Sequence, residues 1–215
     1  MKAVLVAPFL MLAACAPRAL EPAVIPPDKL LDFTALYSQN CAGCHGPDGK
    51  GGVSIALSNP VYLAIADDAA IRTVTAKGVA GTAMPAFAQS AGGSLTDPQI
   101  EAIVQGMRAK WAQSGVEAPP YSAALGDATR GAQVYETYCA SCHGTGGRGA
   151  SASSIVDPAY LSLVSDQNLR TTVICGRPEL SAPDWRENVP GKPMSPQDIA
   201  DVVAWLAAQR AGGIR

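Results

Sequence analysis

The chain has 215 residues, with 16 Lys and Arg against 18 Asp and Glu and 48% hydrophobic residues, enough to bury one large core or two of about 100 residues each. Gly 21 and Pro 17 without a fixed period exclude a collagen-like chain, and a slight excess of acid in both halves leaves no basic patch for nucleic acid or a polybasic membrane contact. Two histidines exclude any chemistry that needs three, and 6% aromatic residues are few for two cores of this size.

Lys2 precedes an apolar run over residues 3–14 that is too short to cross a ~30 Å hydrocarbon core, so residues 1–14 read as a signal peptide. The run ends in Leu12-Ala13-Ala14-Cys15, which resembles the lipobox of bacterial lipoproteins, in which the cysteine becomes the lipidated first residue. Cleavage after Ala16 is the competing reading, but it would leave Pro17 behind the cut, a position such peptidases disfavour. Residues 15–29 then form a lipid-anchored tether. Pro17, Pro22, Pro26 and Pro27 lie close together there and favour an extended chain.

The remainder is duplicated at an offset of 98 residues. Cys41-Ala42-Gly43-Cys44-His45-Gly46 recurs as Cys139-Ala140-Ser141-Cys142-His143-Gly144, and Tyr37 matches Tyr135. Asn59-Pro60-Val61-Tyr62-Leu63 matches Asp157-Pro158-Ala159-Tyr160-Leu161, Arg72 matches Arg170, and Gly78 matches Gly176. The boundary falls in the Gly- and Pro-bearing stretch 114–122, which divides the chain into residues 30–116 and 117–215.

Each copy predicts the same helices in order. One approaches the cysteine motif and ends near Asn40 or Tyr138, with Asp127 placed to cap the second. A Gly-rich turn follows, then a short helix over residues 68–76 or 166–174 that Gly78 or Gly176 ends. Thr96-Asp97-Pro98-Gln99 and Ser195-Pro196-Gln197-Asp198 are capping boxes for the last helix. Ile100, Ile103, Val104 and Met107 then line one helical face, as do Ile199, Val202, Val203 and Leu206. No alternating strand pattern appears, so each copy is a small all-α unit.

In a helical turn, Cys41, Cys44 and His45 project to one side, as do Cys139, Cys142 and His143. Cys-x-x-Cys-His is the c-type haem attachment sequence: the thiols form thioethers to the vinyl groups and the imidazole ligates iron. A zinc site would place its cysteine pairs ~15–20 residues apart, not 98, and a thioredoxin-like pair lacks the strand–helix setting; two disulfides in an oxidising compartment are the remaining alternative. Two covalently bound haems would also replace much of the missing aromatic core.

Both histidines are then proximal ligands, and neither iron can be bis-histidine. Met84, in the loop Gly81-Thr82-Ala83-Met84-Pro85-Ala86-Phe87, is the expected sixth ligand of the first haem. Met107 reads as core. At offset 98 Met84-Pro85 becomes Ala182-Pro183 and Phe87 becomes Trp185, so the second iron lacks the matching ligand. Met194 is the remaining thioether nearby, although aligning the helix caps sets it against the packing residue Leu95. The alternatives are Met194, another donor, or an open iron. Cys175, in the place of Lys77, reads as a buried inert thiol, with a redox or ligand role as its alternative.

Over residues 30–210 the chain resembles a class I cytochrome c duplicated into a two-haem bacterial cytochrome, as in soluble carriers and two-haem oxidase subunits. The resemblance implies two tandem all-α domains and one-electron transfer. His45 and Met84 match the family's ligand pattern; His143 matches but Ala182 does not. It further implies pocket or propionate contacts for Tyr62, Tyr160, Arg72 and Arg170, which are otherwise ordinary helix and loop residues. The expected protein is anchored through Cys15 on the periplasmic side of a bacterial membrane and exchanges electrons with redox partner proteins, a membrane oxidoreductase or oxidase among them. The alternative is an enzyme whose open second haem acts on peroxide or a sulfur compound, with Arg177, Asp184 and Arg186 in the relevant loop.

Overall fold

The computed structural model describes residues 25–122 and 124–210. Cys15, the signal-peptide segment and most of the tether lie outside the described residues. Within them, side-chain caps start the helices where the sequence places Asx or Ser. Asp32 accepts from the Ala35 N–H and opens α1 (Phe33–Asn40), and Asp127 accepts from the Thr129 and Arg130 N–H groups and opens α6 (Ala128–Tyr138). The cysteine motifs form single turns, α2 (Ala42–His45) and α7 (Ala140–His143). The short helices are α4 (Asp68–Lys77) and α9 (Asp166–Cys175), ended at Gly78 and Gly176 as expected. The capping boxes of Thr96 with Gln99 and Ser195 with Asp198 open α5 (Asp97–Trp111) and α10 (Pro196–Ala208).

Two helices were not predicted, α3 (Pro60–Ile65) and α8 (Pro158–Leu163). Their signal is an Asx N-cap followed by proline at the first helical position: Asn59 Oδ1 accepts from Val61 N–H at 2.8 Å, and Asp157 accepts from Tyr160 N–H at 3.0 Å. Two isolated bridges, Ala88 with Leu95 and Arg177 with Ala182, are the β-type pairings among the described residues. The chain is all-α there, and no helix in it is long and apolar enough to cross a membrane.

Each copy has its own core. Leu36, Leu63, Ile71, Leu95 and the predicted stripe Ile100, Ile103, Val104 and Met107 form the first, and Val134, Tyr135, Leu161, Leu169, Ile174, Met194, Ile199, Val202, Val203 and Leu206 the second. Where the first and last helices of a copy cross, one side chain must be small. In the first copy a Cβ on Gly106 of α5 would lie 2.2 Å from the Phe33 ring of α1. In the second the sizes are exchanged: Gly131 of α6 meets Trp205 of α10, and its Cβ would come 2.1 Å from Asp201 O. Gly131 stands in the register of Phe33, and Trp205 in that of Gly106, so the large residue has changed helix while the contact is kept.

An arginine late in each copy ties the short helices together. Arg108 donates to Leu63 O and Ala66 O and pairs with Asp68; Arg210 donates to Leu161 O and Val164 O and pairs with Asp166. Before α1 lies one 3-10 turn, Pro27–Lys29, which Gln99 Nε2 fixes by donating to Pro27 O at 2.8 Å and Leu30 O at 3.1 Å. The copies also meet each other. Val61 of α3 enters the second core, and Asn59 Nδ2 donates to Cys175 O at 2.9 Å.

Candidate haem sites

Cys41 lies between α1 and α2 and Cys139 between α6 and α7, with Cys44, His45, Cys142 and His143 in the following turn. Gly46 and Gly144 stop those turns with φ of 83° and 74°. A Cβ at Gly46 would lie 1.8 Å from Lys50 O, and one at Gly144 2.5 Å from Gly149 O, so only glycine lets the loop fold back under the histidine. A buried tyrosine holds each turn: Tyr37 Oη donates to Gly46 O at 2.8 Å and Tyr135 Oη to Gly144 O at 2.6 Å. Trp111 meets Tyr37 edge-on at 5.1 Å, and Trp205 stacks on Tyr135 at 4.3 Å.

The loops after the glycines supply the histidines' partners. His45 Nδ1 lies 2.8 Å from Ile55 O and His143 Nδ1 2.8 Å from Ser153 O, again 98 residues apart. A carbonyl only accepts, so Nδ1 is assigned the proton and Nε2 keeps its lone pair for a metal. His45 is buried, and burial lowers its pKa, which keeps the imidazole neutral. The thiols of Cys41 and Cys139 are pushed up to about 11 and about 12, by burial first and the neighbouring motif thiol second. All four motif cysteines are unbridged.

Met84 is partly buried in the loop after α4. Its carbonyl accepts from Val79 N–H at 3.0 Å and its N–H donates to Thr82 Oγ1 at 3.2 Å, which fixes the backbone and leaves the thioether free. Ala182 holds the corresponding place, its carbonyl accepting from Arg177 N–H at 2.9 Å. Met194 lies in the second core, 1% exposed, where its N–H donates to Trp185 O just as Leu95 N–H donates to Phe87 O. Cys175 is buried in that core, where it lies against Tyr62 of the first copy.

Arg72 pairs with Glu101 at 2.6 Å, and Arg170 is buried and donates to Ala124 O, so both guanidiniums are engaged within the polypeptide. Sequence reading placed a backbone carbonyl behind each imidazole in the segments before Pro60 and Pro158 without saying which, and these are Ile55 O and Ser153 O; it missed the tyrosine hydroxyls and Trp185, whose buried indole N–H has no partner among the described residues. Among those residues no group of three or more His, Cys, Asp or Glu is arranged to hold a bare metal ion. Paired thiols beside an imidazole with a free Nε2 fit a covalently held haem.

Two such donor sets on a duplicated helical frame define a two-haem c-type cytochrome of class I. Residues 28–105 and 126–206 each match the family described as cytochrome C oxidase, cbb3-type, subunit III, and the chain belongs to that family. It is 31% identical over 135 residues to a cbb3-type cytochrome c oxidase subunit CcoP of Azospirillum sp. (strain B510), a match covering 56% of this chain and 41% of that protein. The chain therefore spans about two-fifths of that relative's length. A reducing HAO-like protein complex of Kuenenia stuttgartiensis contains a chain with 15% identity and a TM-score of 0.46, covering 83% of this chain and 96% of that one.

Proposed function

We propose that this chain carries single electrons between a redox donor and a membrane oxidoreductase or oxidase, as a subunit of such a complex or tethered beside it. The observation that carries this reading is the repeated proximal unit, in which two thiols flank an imidazole whose Nδ1 is committed to a carbonyl and whose Nε2 is free. Bound haem supplies the one-electron ferric/ferrous couple. Cys41, Cys44, Cys139 and Cys142 would hold the rings by thioethers, and His45 and His143 would offer Nε2 to the irons. Ile55 O and Ser153 O make each imidazole more electron-donating, which favours the ferric state, while a Met84 thioether favours the ferrous state at the first iron.

Residues 30–116 and 117–215 form the two electron-transfer domains. Residues 1–14 are a signal peptide, and Cys15 bears the lipid that holds a tether of residues 15–29 to the periplasmic side of the membrane. With a formal charge of −2, long-range steering is weak, and confinement to the membrane or to a complex takes its place. The partner class comes from the cbb3-type oxidase relative.

The test uses the full chain matured in a host that attaches haem c. Two haems per chain by pyridine haemochrome, resistant to acid-acetone extraction, and two reversible one-electron steps are expected. Fewer haems, or extractable ones, overturn the site reading. Labelled palmitate is expected to enter the wild-type chain and not Cys15→Ala, and a wild-type chain that takes up no label overturns the anchor.

A further inference from the structure

The loop after the short helix is built alike in both copies, and this fixes what stands in Met84's place. Val79 N–H donates to Met84 O at 3.0 Å, and 98 residues on Arg177 N–H donates to Ala182 O at 2.9 Å. A Cβ on Gly78 would lie 2.7 Å from Met84 O, and one on Gly176 2.7 Å from Ala182 O. The backbone after α4 and after α9 therefore folds in one register, and the ligand position of the second copy carries a methyl group. Ala182 lacks the Cγ, Sδ and Cε of Met84.

The remaining candidate donors are held elsewhere. Met194 is pinned in Leu95's register by its bond to Trp185 O, is 1% exposed, and has the Asn188 Nδ2 at 3.9 Å from its sulfur. Cys175 packs in the second core against Tyr62 of the first copy. Lys192 lies with its Nζ 5.4 Å over the Tyr138 ring. Asp184 and Arg186 are paired to each other, and Arg177 to Glu179. Both histidines are proximal. Ser181, next to Ala182, is the one non-glycine residue with positive φ among the described residues, at 62°. The reciprocal Arg177–Ala182 pair holds it there, so the loop is a closed hairpin rather than a slack segment.

We infer that the second haem site is a binding site for a small exogenous ligand, a neutral π-accepting diatomic such as carbon monoxide or nitric oxide on the ferrous iron, entering where Ala182 replaces a thioether. This rests on the two-haem reading above, and a haem count separates the two: fewer than two haems per chain is a failure of that reading, while two haems bring this inference to its own test. The reduced full chain is titrated with carbon monoxide and followed by optical spectroscopy, and the ferric chain is measured by paramagnetic resonance.

The expected result is one carbon monoxide per chain, with one high-spin and one low-spin ferric signal. Ala182→Met brings the stoichiometry from one to zero and makes both signals low-spin. Met84→Ala raises it from one to two, and Met194→Leu leaves it at one. A wild-type chain with two low-spin signals and no carbon monoxide bound overturns the inference. So does a Met84→Ala chain that still binds only one, because the open iron would then be the first. If Ala182→Met fails to fold, the Met84 and Met194 variants decide the matter alone.

Discussion

Tyr135 does two things at one ring. Its hydroxyl donates to Gly144 O at 2.6 Å and its face stacks on Trp205, so the turn behind His143 is tied to the last helix through a single side chain. Burial first, then Cys139 and Glu136, push its phenol up to about 12 from an ordinary 10, against a lowering by the Gly147 backbone. A raised phenol pKa means that the folded state holds the proton more tightly. The contribution is therefore full below about pH 10 and is lost as pH rises through about 12. Tyr135→Phe keeps the stack and removes the hydroxyl. It is expected to lower stability at pH 7 by about 1 kcal/mol and to flatten the alkaline limb of the stability curve. Denaturant unfolding of the haem-loaded chain at pH 7 and across the alkaline range checks this, and parallel wild-type and variant curves above pH 10 would refute it. The match of Tyr37 with Tyr135 was legible in the sequence. Its meaning was not, because the acceptor is a backbone carbonyl, which no residue type marks. For the imidazoles the sequence pointed to a carbonyl before Pro60 and before Pro158 but not to the residue, because Ile55 and Ser153 differ in side chain while their carbonyls do the same work.

The helices were legible where caps and apolar spacing agreed, as at α5 and α10, and α3 and α8 were missed because six residues are too few to show a period. The crossing of first and last helices escaped for another reason. Phe33 against Gly131, and Gly106 against Trp205, look like two unrelated mismatches in the repeat, and only the packing shows that they compensate. The two contacts differ in what resists a methyl group. At Gly106 the obstacle is the Phe33 side chain, whereas at Gly131 it is Asp201 O, part of a helix backbone. Gly106→Ala is expected to cost about 1–3 kcal/mol, and combining it with Phe33→Ala recovers part of that loss relative to the sum of the two single changes. Gly131→Ala is expected to cost more, and Trp205→Ala does not recover it, because the carbonyl remains. Double-mutant cycles by thermal unfolding separate the cases; equal coupling at both crossings would contradict the assignment of the obstacles.

At the scale of the whole chain, the two sites are joined unsymmetrically. The loop that supplies Ile55 O to His45 spans Gly52 and Asn59, and both of these bond to the second copy. Arg177 Nη2 donates to Gly52 O at 2.8 Å, and Asn59 Nδ2 donates to Cys175 O at 2.9 Å. Gly52 in turn rests against Cys44 O, where its Cβ would come within 2.2 Å. Arg177 begins the hairpin that ends at Ala182, so one guanidinium touches both the loop that holds His45 and the loop that carries Ala182. Its counterion is Glu179 at 2.6 Å, and both side chains are more than four-fifths buried. Val79 holds the same register in the first copy, so this link has no twin and no repeat comparison could reveal it. A positive charge near an iron disfavours the ferric state. Its effect is felt at His45, whose pKa is lowered by burial, raised by its Ile55 bond, and lowered again by Arg177. Arg177→Gln leaves Glu179 unpaired and is expected to lower the midpoint potential of the first haem by tens of millivolts, the scale of one partly screened charge. Glu179→Gln leaves the guanidinium unpaired and is expected to raise it. Spectroelectrochemical titration reads both, with the carbon-monoxide-silent haem marking the first site. Shifts of opposite sign follow from charge, whereas a fall in both variants would mean that the pair acts only by holding the two domains together.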